Sequence, residues 1–541
     1  MGGILSSLAS AFKGLKTVIA VLRGLSADYN DLLNRANAPP GLPVSDPTVA
    51  YWQEDPPYPE LVDIHSPELP ECADVVIIGS GITGAAIART ILHESRRQGI
   101  KRRVVVCEAR TLCSGATGRN GGHIKASPHE VFGRLRKRME PERAAALVRF
   151  QLRHLEALLG LCKDEGIDIA ECREVETVDL FVDQKHYEQA IKEVEDLRKW
   201  VPEFDMSVWS GTEAQKKFGV NNQIKGAISY KAGALWPYRF VTSIWKQLLD
   251  EFPESLSIET STPVTAVSTG GTMESPYIVS TRRHGVWTRH VVHATNAFAS
   301  HLVPGLRGKT AGMLAHMSAQ SPGNKFPDLN GQRSWSIMYA SSGFDYITQR
   351  PTVDGVPGNL MLGGGFMQSA KQGVDFIGVY DDSKEDALTN AHNLGVMPTI
   401  FGPSNWGYQR GDGDLEADKT WSGVIAIAAD FVPLVGRLDA RLTGRKINPK
   451  TYRSLKGGEK DMVQDEPGEW IAAAFVGDGM VWAWLSGSAL GIMLSGSEND
   501  DLAPAPGRPS GRLKDWFPEE LLPTYERVKK MQLSDLAGEI M

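Results

Sequence analysis

Residues Val75–Thr90 read VVIIGSGITGAAIART. An apolar run with the length of a buried strand ends in Gly79-Ser80-Gly81-Ile82-Thr83-Gly84, and the small residues after it continue as a helix. In such a G-x-G-x-x-G turn the first glycine permits the tight turn and the second lets a pyrophosphate approach the backbone. The third lets the helix pack on the strand. The helix N-terminus then offers N–H groups and partial positive charge to the phosphate. The next apolar strand, RRVVVCEAR, ends in Glu108 at about the 20-residue spacing expected for the acid that holds the ribose. A carboxylate there accepts from ribose hydroxyls and repels a 2′-phosphate. The pair therefore predicts an α/β domain that binds an unphosphorylated adenine dinucleotide.

The rest of the chain is compatible with a large two-lobed enzyme. It has 541 residues, 42% hydrophobic and 23% charged, and a mean hydropathy of -0.23. The net charge of -7 argues against nucleic acid as a partner. Its five cysteines, Cys72, Cys107, Cys113, Cys162 and Cys172, form no C-x-x-C pair or disulfide framework, and no N-x-[ST] sequon occurs. An intracellular, cytoplasmic protein is expected. The most apolar stretch, Ile471–Leu494, is broken by Asp478 and glycines and reads as a strand, a turn and a helix, not a membrane span.

Residues 1–27 place Ile4, Leu8, Phe12, Leu15, Ile19 and Leu22 at helical spacing opposite Lys13, Lys16 and Arg23. The chain also begins M-G-x-x-x-[ST], with Gly2 and Ser6 in place for myristoylation. A helix docked on the body, peripheral membrane contact through an acyl chain and a basic face, and a mitochondrial presequence all fit this segment. Residues 28–69 form a proline-rich arm expected to lie extended over a domain. Strands and helices alternate from Ala73, and Pro141–Lys199 reads as largely helical. Short strands are expected within Ile258–Ser280 and Val286–Thr295. Residues 437–469 read as a basic, solvated insertion carrying Arg437, Arg441 and Arg445.

After Glu108 the chain reads ARTLCSGATGRNGGHIK, a small-residue loop able to lie flat on a planar ligand. Here the sequence resembles the D-amino-acid-oxidase-like superfamily of FAD-dependent amine and amino-acid oxidoreductases. The loop is most similar to gamma-glutamylputrescine oxidase-like proteins. The resemblance continues in order through GALWPYRF (Gly233–Phe240), TPVTAVS (Thr262–Ser268) and VVHATNAFAS (Val291–Ser300), where Asn296 replaces a usual glycine. WSGVIAIAADFVPLVGR (Trp421–Arg437) and FVGDGMVWAWLSGSALGIML (Phe475–Leu494) close it. In the last segment Asp478 stands where the family usually has histidine. The match covers residues 73 to 500, roughly.

The resemblance implies FAD as the cofactor. It would be held by Gly79–Gly84, Glu108, Ala109, Arg110, Ser114, Gly115, Ala116, Thr117, Asn120, Gly121, Gly122, Val264, Thr295, Gly477, Asp478, Gly479 and Met480. It implies an α/β fold: a Rossmann-type FAD-binding domain (70–160, 225–310 and 420–505) interleaved with an α+β substrate domain (160–225 and 310–420) containing an antiparallel sheet. A C-terminal tail of 506–541 follows. His123, Tyr346 and Arg350 are the substrate-side candidates, the arginine as a fork for a carboxylate. His290 and His293 lie three apart in a strand and face opposite ways, so no metal site is expected. No G-x-S-x-G nucleophile motif occurs. Trp335, Trp421, Trp482 and Trp484 read as core.

The implied reaction is oxidation of the C–N bond of a small-molecule amine or amino acid by hydride transfer to the flavin, with oxygen as acceptor. A membrane-associated flavin dehydrogenase that passes electrons to a quinone or carrier, and a non-catalytic protein that keeps the fold, are the alternatives. The flavin is expected to be non-covalent. No cysteine follows Cys172, His123 comes after the family's attachment position, and Cys113 lies where the chain passes the ribose and pyrophosphate.

Overall fold

The computed structural model describes residues 29–272, 274–340, 343–407, 417–447 and 466–536. The amphipathic segment at 1–27 and most of the basic insertion lie outside the described residues. Two sheets form the body. The eight-stranded first sheet contains β1 (Cys72–Ile78), β2 (Val104–Cys107), β7 (Leu256–Glu259), β8 (Val264–Thr269), β9 (Tyr277–Thr281), β10 (Gly285–His293), β16 (Leu434–Arg437) and β17 (Gly468–Ala473). Its order is β16-β17-β10-β1-β2-β7, with β8 and β9 added as a hairpin on β10. The strands of the β17-β10-β1-β2-β7 run are parallel. Strands covered on both faces can be apolar throughout, and Val75, Val76, Ile77 and all of Val104–Cys107 are buried.

On one face, helix α1 (Ile82–Arg97) follows β1 and packs against the helix Ala483–Leu494. The two backbones meet at Gly487 and Gly491. A Cβ on the first would lie 2.7 Å from the Ala86 Cβ, and one on the second 2.6 Å from the Thr90 Cβ. The alternating strand and helix expected from Ala73 onward are present, and the apolar Ile471–Leu494 stretch is the strand, turn and helix read from sequence. Among the described residues no helix is long and apolar enough to cross a membrane.

The second sheet, of nine strands, holds β3 (His123–Ile124), β4 (Arg173–Phe181), β5 (Met206–Ser210), β6 (Gly226–Ala234), β11 (Thr310–Gln320), β12 (Arg333–Met338), β13 (Phe344–Gln349), β14 (Leu360–Gly364) and β15 (Lys419–Ala428). It is antiparallel except where β4 runs parallel to β12. Pro141–Lys199 is therefore not simply helical. The helices Pro141–Asp164 and Gln184–Trp200 flank β4, which lies inside the sheet. Its charged residues Glu174, Glu176 and Asp179 give REVETVDLF a helix-like pattern. Asp179 is nonetheless buried, because the sheet supplies it with partners.

The junction between the sheets is polar and buried. Asp382 is 3% exposed and receives Arg110 in a bidentate grip at 2.9–3.1 Å, with Arg119 Nε 3.4 Å away. The Asp382 carbonyl accepts from Thr48 N at 2.8 Å, and Arg119 donates to the Thr48 carbonyl and, at 2.6 Å, to that of Ser422. The proline-rich arm is thus latched to both sheets, and Trp52, fully buried, donates to the Asn120 carbonyl. Residues 29–37 depart from the extended arm and are helical; proline first appears only at Pro39.

The described part of the basic insertion also departs from the solvated loop. Arg445 and His293 both donate to the buried Glu469. Burial alone would raise that carboxyl, but these bonds outweigh it and hold it at about 2. Arg441 stacks on Tyr525 at 3.7 Å.

Replacing Asp382 with alanine strands two buried guanidinium groups. The expected loss of stability is about 3–5 kcal/mol, the cost of breaking a buried ion pair by removing one partner. Denaturant unfolding followed by tryptophan fluorescence measures it, and a loss below about 1 kcal/mol would show that the junction carries little of the fold.

Candidate cofactor and substrate site

Where β1 ends, Gly79 adopts φ +110°, and a Cβ there would lie 2.6 Å from the Ala294 carbonyl oxygen. Gly81 caps α1, and its Cβ would meet Thr117 Oγ1 at 2.9 Å. That hydroxyl accepts from Ile82 N at 3.1 Å, tying the loop after β2 to the start of the helix. Gly84 sits one turn in, where a side chain would overlap the Gly79 carbonyl. The turn is therefore bare backbone, and Gly79, Ser80, Gly81, Ile82 and Thr83 open onto a cavity.

Glu108, at the tip of β2, lines the same cavity. One carboxylate oxygen accepts from Ser80 N at 3.0 Å and Ser80 Oγ at 2.7 Å, and the other accepts from Arg110 N at 3.1 Å. Ser80 Oγ in turn accepts from Cys113 N at 2.8 Å. The acid is held in place by the phosphate turn itself. Val264 and Thr295 also line the wall, and Thr295 Oγ1 is buried without a partner. Beside it Asn296 has φ +43° and accepts from Phe475 N at 3.2 Å. Asparagine tolerates the left-handed region, which explains how it replaces glycine there.

Ala109, Arg110, Gly115, Ala116, Thr117, Asn120 and Gly121 carry the wall onward. Three residues expected at the cofactor are off the wall. Gly84 packs the helix on the turn. The Ser114 carbonyl takes Arg110 and Arg119, and Gly122, at φ +66°, donates to Asn120 Oδ1. Arg110 reaches the wall, but its guanidinium is bound to Asp382.

The far end of the cavity belongs largely to the second sheet and includes His123, Lys125, Ser127, Ser336, Phe344 and Tyr346, faced by Gly477–Met480. Tyr346 donates to Met317 Sδ at 3.1 Å and accepts from Gly121 N at 3.3 Å; burial pushes its hydroxyl up to about 12. His123 Nε2 lies 2.9 Å from Ser334 Oγ, and burial, with Lys125 and Arg173 nearby, holds the ring well below its ordinary value and so neutral. Arg350 does not reach the cavity. It is bound to Glu171 and, at 2.6 Å, to Tyr51 Oη, with its guanidinium 4.4 Å over Trp236.

Sequence reasoning passed over Lys125, Phe344 and the arm residues Gly41, Leu42 and Pro43. Lys125 donates to Asp179 at 2.6 Å and to Ser336 at 2.8 Å, and Tyr230 also donates to Asp179. Phe344 stands half exposed at the rim, and Gly41, Leu42 and Pro43 of the arm line the wall. Lys125 was visible at the end of the glycine loop, but Asp179 becomes its partner only through the pairing of β4, β6 and β12. Burial raises Asp478 to about 6 against the lowering effect of Arg134 and Lys125.

The residues present fit FAD. The bare turn at a helix N-terminus suits the pyrophosphate, Glu108 the ribose, and the orphaned Thr295 hydroxyl a polar atom of the cofactor. Gly81→Val is expected to yield folded protein without flavin, and normal flavin content would refute the assignment of the turn. Glu108→Ala is expected to weaken FAD by about 1.5–3 kcal/mol, the range for hydrogen bonds to a charged group. Fluorescence titration of the apoprotein measures it, and an unchanged Kd would remove Glu108 from the site.

A family model described as FAD dependent oxidoreductase (DAO) matches residues 74–491. No curated protein matches the sequence. Similar solved structures include glycine oxidase from Geobacillus kaustophilus, at 16% identity over 80% of this chain and 96% of that one (TM-score 0.56). L-proline dehydrogenase from P. horikoshii matches at 18% identity over 86% and 100% (TM-score 0.58). L-amino acid deaminase from Proteus myxofaciens, in complex with anthranilate, matches at 17% identity over 86% and 97% (TM-score 0.57). With a glycine-turn cavity of this kind and a family match across most of its length, the chain belongs to the DAO family of FAD-dependent oxidoreductases and is an enzyme of that family.

Proposed function

We propose that the enzyme oxidises the C–N bond of a small amine or amino acid by removing hydride from the carbon next to nitrogen, with dioxygen as the final acceptor. The observation that carries this reading is one continuous cavity. It joins the phosphate turn and Glu108 at one end to the aromatic and polar side chains of the second sheet at the other. The names of the solved relatives, glycine oxidase, L-proline dehydrogenase and L-amino acid deaminase, supply the common theme of amino-acid substrates. Held by the glycine turn and Glu108, FAD would supply the two-electron acceptor for the hydride, and reoxidation by dioxygen would give hydrogen peroxide.

The chain's own part is orientation and exclusion of water. Tyr346 stays protonated and His123 neutral at physiological pH, so neither presents a charge to the substrate. The Lys125–Asp179 pair fixes the floor of the far end, and Phe344 at the rim covers it. Once substrate nitrogen carries a free lone pair, hydride loss from carbon needs no further acid–base dyad.

Anaerobic mixing of the flavin-loaded enzyme with a panel of amines and amino acids tests the reaction. At least one compound is expected to bleach the flavin, and readmitted air should yield peroxide in proportion. Bleaching by none of them overturns the proposal, and bleaching without peroxide overturns oxygen as the acceptor. The flavin is proposed to be non-covalent: His123 Nε2 is engaged by Ser334, and Cys113 is buried with its N–H bonded to Ser80. Acid precipitation should release all the yellow colour, and colour retained in the pellet would point to His123.

A further inference from the structure

We propose that the substrate end of the cavity is a cation site in which Asp478 recognises the ammonium group of an amine lacking an α-carboxylate. The inference rests on the oxidation reading above and names its substrate class. Asp478 lies in the turn between β17 and the helix Ala483–Leu494, facing the end formed by Lys125 and Tyr346. Among the described residues its carboxylate has no hydrogen-bond or ion-pair partner.

The cations of the wall are committed elsewhere. Arg110 is held by Asp382 at the junction, and Lys125 by Asp179. Arg350, the residue best shaped to grip a carboxylate, is outside the cavity and paired with Glu171. His123 is neutral. Glu108, the other acid of the wall, is at the opposite end and is hydrogen-bonded to Ser80. The wall of the substrate end therefore presents one uncommitted carboxylate and no uncommitted cation among its described residues; Arg134, whose Nε is buried without a hydrogen-bond partner, lies off the wall and acts on Asp478 only through its field. Asp478 is half-buried, and a carboxylate partly withdrawn from water without a partner gains from a bound cation. An α-carboxylate brought to the same place would meet Asp478 as a like charge.

The rings are arranged to help. Phe344 and Tyr346 lie with centroids 6.5 Å apart, and both line the cavity. Their faces attract a cation, and their edges cover the apolar body of an amine. A primary or secondary ammonium docked on Asp478 also has an acceptor for the proton it must lose: the N–H bond breaks toward a carboxylate oxygen, and the pair remains on nitrogen.

The groups acting on Asp478 are Lys125, next to β3, Arg134, in the helix Pro128–Leu135, and Tyr346 in β13. Arg134 lies over the Phe431 ring at 4.8 Å and is off the wall, so it lowers the carboxyl from a distance without filling the site. The carboxyl titrates at about 6, which makes it charged above that pH. Cation binding should be full above pH 7 and weaken as pH falls through 6.

The test is binding, read as perturbation of the oxidised flavin spectrum by two probes that the enzyme cannot oxidise at an amine: benzyltrimethylammonium and benzoate. The ammonium is expected to bind saturably, at least 10-fold tighter than benzoate. Asp478→Asn, compared at equal measured flavin content, should lose that preference by 10-fold or more, while Asp478→Glu retains it. Tighter binding of benzoate, or an unchanged ammonium affinity in Asp478→Asn, overturns the proposal. The two readings fail separately. A protein that binds the ammonium while no amine bleaches its flavin keeps the cation site and loses the oxidation. One bleached by amino acids that binds benzoate keeps the oxidation and loses the cation site.

Discussion

The Asp382 carboxylate joins segments from distant parts of the chain at one buried point. It holds Arg110 from the loop after β2 and Arg119 from the following turn, and its backbone holds Thr48 of the arm. A single acid between two guanidinium groups is stable only when every other donor is satisfied. Here the carbonyls of Ser114, Ser422 and Thr48 take the remaining N–H groups. The loop from Ala109 to Lys125 must follow a defined path from the first sheet to the second because both its arginines are fixed. That path puts Thr117 under the α1 N-terminus and Lys125 against Asp179. The two ends of the cavity are therefore positioned by one junction.

Much of the first sheet was legible because local sequence specifies it. The apolar strands are covered on both faces, the glycine turn has one workable geometry, and Glu108 marks a strand tip. The second sheet was less legible because its strands are held by partners far away in sequence. β4 carries charged residues whose burial depends on Lys125 and Tyr230, and no window around Asp179 contains either. The partners of Arg350 are hidden for the same reason: its fork suits a substrate carboxylate, but Glu171 and Tyr51, distant in sequence, occupy it. Arg445 looked like surface charge until Glu469 and His293 supplied a buried partner.

The site is electrically lopsided, and this follows from the scaffold. Positive charge in the cavity wall is consumed by structure, as in Arg110 and Lys125, whereas one carboxylate at the far end is left open. A turn that carries aspartate gives that end of the pocket a negative sign without disturbing the helix that follows it. Backbone geometry fixes the cofactor side, so selectivity can vary at single side chains on the other side.

The arm carries an entropic consequence. Leu42 and Pro43 line the wall of the cavity, while their neighbour Thr48 is held by Asp382 and Ser422, more than half the chain away. Contacts of such separation carry the entropic cost of closing a long loop, which the buried bonds at the junction must offset. That side of the cavity is therefore walled by chain whose place depends on the second sheet, through the bonds of Thr48 to Ser422.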